Sequence, residues 1–251
     1  MRIRFGRRFS QLLLGLFLYG IAISAMVQAA VGLDPWDVLA QGISLHTGIP
    51  FGLVTNIVGG AVLLLWIPIR QRPGLGTILN VLLIGPSAQL GLAVIPHPTL
   101  LWEQVLLFAG GLILLAAATG LYIGAHMGPG PRDGLMTGLH TRTGRSIWMV
   151  RTAIEVTVLV IGWLLGGNVG FGTLAFALLI GPLCNLALPL FAVRMPGAAG
   201  QAASPGAAGR VAREHSADAY RDPAASKHDR FEGALIESDA RSRARWDRAP
   251  R

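Results

Sequence analysis

Two aspartates, Asp37 and Asp133, each follow a proline by two positions, in Asp34-Pro35-Trp36-Asp37 and Gly130-Pro131-Arg132-Asp133. Proline suits the first turn of a helix and an acid there complements the helix dipole, so helix capping is one reading of both aspartates. The other is a carboxylate on a short re-entrant helix, placed to gate a path or to bind a proton, a cation or a cationic group. Arg132 stands where the first motif has Trp36; it reads as a topology-setting charge or as an anion-attracting gate. Glu155 falls inside an apolar run, where an ionised side chain is expensive, and Arg151 lies four residues earlier on the same helical face. A structural ion pair and a coupling carboxylate are the two readings there.

Enzyme chemistry finds no such footing. His46, His126 and His140 lack metal-ligand spacing, and Gly128-Pro129-Gly130-Pro131 lacks the Lys-Ser/Thr of a phosphate loop. No convincing serine or cysteine nucleophile has a base beside it in the sequence. The expectation is a non-enzyme with no metal and no cofactor.

The elements that must position these charges are set by a repeat. Moving Gly32 forward by 96 positions to Gly128 superposes Gly32, Pro35, Asp37 and Leu39 on identical residues. Without a gap, the same offset pairs Thr47-Gly48 with Thr143-Gly144, Gly74-x-Gly76-Thr77 with Gly170-x-Gly172-Thr173, and Leu82-Leu83-Ile84-Gly85-Pro86 with Leu178-Leu179-Ile180-Gly181-Pro182. From Gly32 to Pro86 roughly a third of positions are identical, far more than unrelated apolar segments give at one register. The unit is duplicated.

Of the 251 residues 52% are hydrophobic and 14% charged, with mean hydropathy +0.54. Only five acidic residues precede Arg194. That composition excludes an ordinary soluble core and fits a polytopic membrane protein. The net charge of +8 punctuates the apolar runs instead of forming a stripe, so it reads as topology signal and lipid contact, with no nucleic-acid partner. The single cysteine, Cys184, can form no internal disulfide.

Six runs are long enough to span, near 11–31, 50–69, 76–95, 103–125, 147–166 and 171–193, given the roughly 20 residues a helix needs. The first has the basic start of a signal peptide but the length of a span, and is read as retained. Arginines at 2, 4, 7 and 8, at 70 and 72, at 132, 142 and 145, and from 194 onward fall on alternate connections. The positive-inside rule then puts both ends in the cytoplasm. A unit with three spans inserts upside down the second time, so the expected fold is an all-α membrane protein: six transmembrane helices as two inverted three-helix repeats, 1–98 and 99–195. Residues 196–251, rich in Ala, Gly, Ser, Pro and charge, read as a disordered cytoplasmic tail.

Pro35 and Pro131 are expected to open short helices, and Gly85-Pro86 and Gly181-Pro182 to interrupt the third span of each copy. Asn56, Asn80, Gln89 and Asn185 add polar atoms within spans. Gly120, Gly124 and Gly128 read as a close packing face.

The motifs Gly-Leu-Asp-Pro-Trp-Asp-Val-Leu at 32–39, Gly-Pro-Gly-Pro-Arg-Asp-Gly-Leu at 128–135 and Thr-Gly-Arg at 143–145 resemble the YczE-like (YitT/YyaS-type) bacterial integral membrane proteins over approximately residues 8–193. The resemblance implies a multi-spanning protein of the bacterial cytoplasmic (inner) membrane and names no substrate. Two classes of function stay open: a small secondary transporter or permease of an unidentified solute, with a homodimer as a further option, and a non-transporting scaffold or regulator.

Overall fold

The computed structural model describes residues 2–191; the tail expected over 196–251 lies outside them. Among the described residues there are eight helices and no strand: α1 (Arg2–Ala29), α2 (Pro35–Thr47), α3 (Phe51–Ile69), α4 (Leu75–Val94), α5 (Leu101–Gly124), α6 (Pro131–Thr143), α7 (Ile147–Leu164) and α8 (Phe171–Phe191). Six of them, all but α2 and α6, are long and apolar enough to cross a membrane. Their outward faces carry large apolar side chains, with Leu164 and Phe171 exposed to 76% and 83%. Exposure on that scale all round a bundle suits lipid, not water.

The repeat governs local backbone as well as sequence. Helices α2 and α6 have 13 residues each, both with proline in the first turn and a left-handed glycine, Gly48 or Gly144, closing the end. Every described residue with positive φ belongs to a pair separated by the repeat offset: Ala30 with His126, Gly32 with Gly128, Gly48 with Gly144, and Arg70 with Gly166. The φ values of Gly32 and Gly128, 128° and 126°, lie where a side chain is strained, which explains why both copies keep glycine there.

Packing keeps the same register. Helices α1 and α5 form the central pair, flanked by α4 against α1 and α8 against α5. Gly15 of α1 meets Ala118 and Tyr122, while its counterpart Gly111 of α5 meets Ala22 and Met26. The short helices cross over: α2 packs on α7 and α6 on α3. Two reciprocal clasps tie the halves into one unit. The Gly172 N–H donates to the Val31 carbonyl at 2.8 Å and the Gly76 N–H to the Met127 carbonyl at 2.7 Å, bonds that interconvert under the repeat offset. Beside them the Leu33 N–H donates to Thr173 Oγ1 at 3.1 Å; Pro129 has no N–H to offer, and Thr77 Oγ1 donates to its carbonyl at 2.7 Å.

Two expectations change. Helices α4 and α8 run unbroken through Pro86 and Pro182, so Gly85-Pro86 and Gly181-Pro182 do not divide these spans. Proline there sacrifices one hydrogen bond, which the remaining helix and its neighbours tolerate. The chain leaves helix instead just before Pro35 and Pro131. The glycine face is also divided: Gly120 sits against Ala187 of α8, whereas Gly128 lies outside any helix, over Gly74 and Thr77.

The copies differ at one packed interface. Helix α3 lies against α4, but α7 and α8 have no corresponding interface. In the first copy Gly52 and Gly59 bring α3 close to Gly85, Gln89 and Val81; the Gly85 N–H donates to Asn56 Oδ1 at 3.0 Å and the Gly52 N–H to Gln89 Oε1 at 3.1 Å. The corresponding α7 positions carry Trp148, Thr152 and Glu155, too large or too polar to repeat that approach, and a Cβ on Gly181 would meet nothing.

Candidate functional site

The two Pro-x-Asp motifs meet. Asp34 caps α2, its Oδ1 accepting the Asp37 N–H at 2.7 Å, so Asp37 is a first-turn acid and not the cap. Gly130 holds the equivalent place before α6 and offers no side-chain cap. Into the space this leaves, Arg132 reaches from α6 to the other copy's carboxylates: Nη1 donates to Asp34 Oδ2 at 3.2 Å and Nη2 to Asp37 Oδ1 at 3.3 Å. Its guanidinium carbon also lies 5.3 Å from the centroid of the Trp36 ring. With its side chain 24% exposed, Arg132 is a half-buried clamp between the two motifs. Arg142 and Arg145, both exposed, remain to carry the charge asymmetry of that connection.

Two carboxylates facing one guanidinium leave the cluster one negative charge in excess. Asp37 is fully buried and its Oδ2 has no hydrogen-bond partner. Burial first, and the adjacent Asp34 second, push the Asp37 carboxyl up to about 8 against the opposing pull of Arg132. One proton on Oδ2 removes the excess charge.

The cluster borders a cavity of about 230 Å³ to which all eight helices contribute. Asp34, Trp36 and Arg132 line it, as do Tyr19 and Tyr122. Asp133 faces it with one described partner, the Tyr122 hydroxyl, which donates to Oδ2 at 2.9 Å. Arg151 and Glu155 also border it and form the helix-spaced ion pair, Nε to Oε1 at 2.9 Å. Of the residues singled out by sequence, Pro35, Pro131, Arg132, Asp133, Arg151 and Glu155 thus line one cavity, and Asp37 is paired to it through Arg132. The helix-break positions Gly85, Pro86, Gly181 and Pro182 do not line it.

A scan of known protein families matches residues 6–189 to one described as "Family of unknown function (DUF6198)". The chain belongs to this family. Among its relatives are an "Uncharacterized protein" of Haemophilus influenzae, 38% identical over 74% of this chain and 85% of that protein, and the "Uncharacterized membrane protein YczE" of Bacillus subtilis, 30% identical over 70% and 82%. The "Uncharacterized protein YyaS" of Bacillus subtilis is 25% identical over 70% of this chain and 90% of that protein. The resemblance to YczE-like proteins therefore holds. No solved structure matches. Six helices long and apolar enough to cross a membrane, with a relative named as a membrane protein, make the chain a multi-pass membrane protein.

Three residues of the site, Asp34, Tyr19 and Tyr122, do not stand out in the sequence. The repeat itself hides Asp34, because its counterpart is Gly130. Tyr19 and Tyr122 belong to no motif, and only the crossing of α1 and α5, with ring centroids 5.9 Å apart, brings them to the cavity. The signal available in advance is charge balance: a lone Arg132 in one copy against Asp34 in the other, at an otherwise shared motif.

Proposed function

We propose that the chain is a small secondary transporter of the bacterial cytoplasmic membrane, built from two inverted three-helix repeats with both ends cytoplasmic. The observation that carries this reading is the cavity, lined by Asp34, Arg132, Asp133, Arg151 and Glu155 amid apolar side chains, at the junction of the two Pro-x-Asp motifs, where helix gives way to irregular backbone. Irregular backbone inside a membrane protein is tolerated where it lines such a cavity, and repeat interfaces are where transporters place their sites. The reciprocal clasps and paired positive-φ positions support a two-fold relation between the halves. The alternating arginine pattern supports their opposite insertion.

In this reading α2 and α6 run from the cavity toward opposite faces. The Asp34–Arg132–Asp37 cluster is the coupling element: Asp37 takes up or releases a proton as Arg132 tightens or loosens its hold, and Asp133 with the Arg151–Glu155 pair meets the solute. Rocking of one half against the other exposes the cavity alternately.

The test uses the chain with Cys184→Ser and one cysteine at Asn80, which lines the cavity. A membrane-impermeant thiol reagent is applied to intact cells and to inverted vesicles. A transporter gives labelling from both sides. Labelling from one side only, or from neither, supports instead a non-transporting scaffold or regulator.

A further inference from the structure

Helices α7 and α8 both border the cavity but lack the interface that joins α3 to α4, which leaves a slot between them. The cavity lining includes Arg151 and Glu155 from α7 together with Phe176, Ile180, Cys184 and Leu188 from α8, two helices that do not pack on each other. The corresponding boundary in the first copy, between α3 and α4, is sealed by Gly52, Asn56, Gly59, Gly85 and Gln89. Substitution of Gly52 by Trp148 and of Gly59 by Glu155 at the matching places removes that seal on one side alone. One rim of the slot is charged and the other apolar, and both helices present mostly lipid-facing side chains around it.

Behind the slot the charges are unevenly partnered. Arg132 is engaged by Asp34 and Asp37, and Arg151 by Glu155. Asp133 has no cationic partner among the described residues; the Tyr122 hydroxyl alone donates to its carboxylate there. The buried Nε1 of the cavity-lining Trp36 and the buried Asp37 Oδ2 also lack partners. Tyr19, Trp36 and Tyr122 add aromatic surface of the kind that favours a cation.

We infer that the cavity takes a cationic amphiphile from the bilayer through the α7–α8 slot, its positive head on Asp133 among the three aromatic rings and its apolar tail leaving between the helices along Ile180 and Leu188. Binding itself is independent of the transporter reading; only the onward movement of the bound amphiphile rests on it. The slot lets the tail stay in hydrocarbon while only the head is transferred, so the head-to-Asp133 pairing supplies selectivity and the tail supplies affinity.

Cys184, the chain's single cysteine, lines the cavity on α8 and serves as a native reporter. The full chain in lipid vesicles is labelled with N-ethylmaleimide in the presence of dodecyltrimethylammonium, tetramethylammonium or dodecyl sulfate, each below its micellar concentration. The expected result is labelling slowed at least roughly tenfold by dodecyltrimethylammonium and by neither of the others, the scale set by one added charge-assisted contact. Asp133→Asn, checked for monodisperse elution, is expected to abolish the protection; ligand selectivity on the unaltered chain decides the matter if that variant does not fold. Equal protection by tetramethylammonium would mean a water-borne cation and no use of the slot. Equal protection by dodecyl sulfate would mean that charge is not read. Absence of labelling, absence of protection, or bismaleimide cross-linking of Cys184 to Cys184 of a second copy would each overturn the inference. Selective protection without two-sided access at Asn80 would leave the amphiphile site standing and remove the transporter reading. Two-sided access without selective protection would do the reverse.

Discussion

Trp36 and Arg132 occupy the same position in the two copies of the repeat, and they touch, the guanidinium carbon 5.3 Å from the indole centroid. Residues related by a two-fold rotation meet only close to its axis, so in the proposed inverted arrangement this contact lies where the halves would turn about each other. At this contact the copies differ in chemistry: an aromatic ring on one side, a cation on the other. The cation in turn binds two carboxylates of the ring-bearing half. A repeated sequence carries an asymmetric charge cluster where its two motifs meet.

Removing that cation should cost the fold heavily. Arg132→Ala leaves the buried Asp34 carboxylate without a counter-charge and raises the cost of ever ionising Asp37, a loss of about 3–5 kcal/mol for a pair of this kind. The variant is expected to give little monodisperse protein in detergent, with its thermal midpoint clearly lowered. Adding Asp34→Asn and Asp37→Asn to the same chain should recover much of the loss. If Arg132→Ala alone melts like the unaltered chain, the cluster does not hold the halves together.

Equivalent glycines should respond oppositely to the same change. A Cβ on Gly85 would run into Asn56 and the Gly52 carbonyl, whereas one on Gly181 would meet nothing. Gly85→Ala is therefore expected to destabilise by about 1–3 kcal/mol through overpacking. Gly181→Ala should be neutral or stabilising by up to about 1 kcal/mol through helix propensity. Thermal midpoints of the two variants compare the α3–α4 and α7–α8 boundaries directly, and equal losses would show that both are closed.

Stability should fall with rising pH through Asp37. Its carboxyl lies at about 8 when folded, against 3.8 for the free side chain, so the folded state holds a proton that the unfolded state releases. The contribution is complete at acid pH, below 3.8, and is lost as the pH rises through the folded value. Midpoints measured from about pH 4 to 8 should decline by a component that Asp37→Asn removes. A slope unchanged in Asp37→Asn would assign the decline to another group.

Much of the fold was legible because its determinants are local. Hydropathy marks the six long helices, and Pro35, Pro131, Gly48 and Gly144 mark the ends of the two short ones. The Gly85-Pro86 and Gly181-Pro182 steps mislead because the helical backbone continues through proline when its neighbours support it. The site was half legible. Asp37, Asp133, Arg151 and Glu155 stand out as charges in apolar sequence. The destination of Arg132 does not, because its partners lie nearly a hundred residues away, and the open α7–α8 boundary emerges only once Trp148 and Glu155 are set against the glycines that seal α3 on α4.

The claim on which the account rests is that equivalent points of the two repeats face opposite sides of the membrane. Thr47 and Thr143, both exposed at the ends of α2 and α6, are such points. With Cys184→Ser, a single cysteine is placed at one or the other and labelled with an impermeant thiol reagent in intact and in opened cells. The account predicts labelling of the Thr47→Cys chain from outside and of the Thr143→Cys chain only after opening; labelling of both from the same side would contradict it.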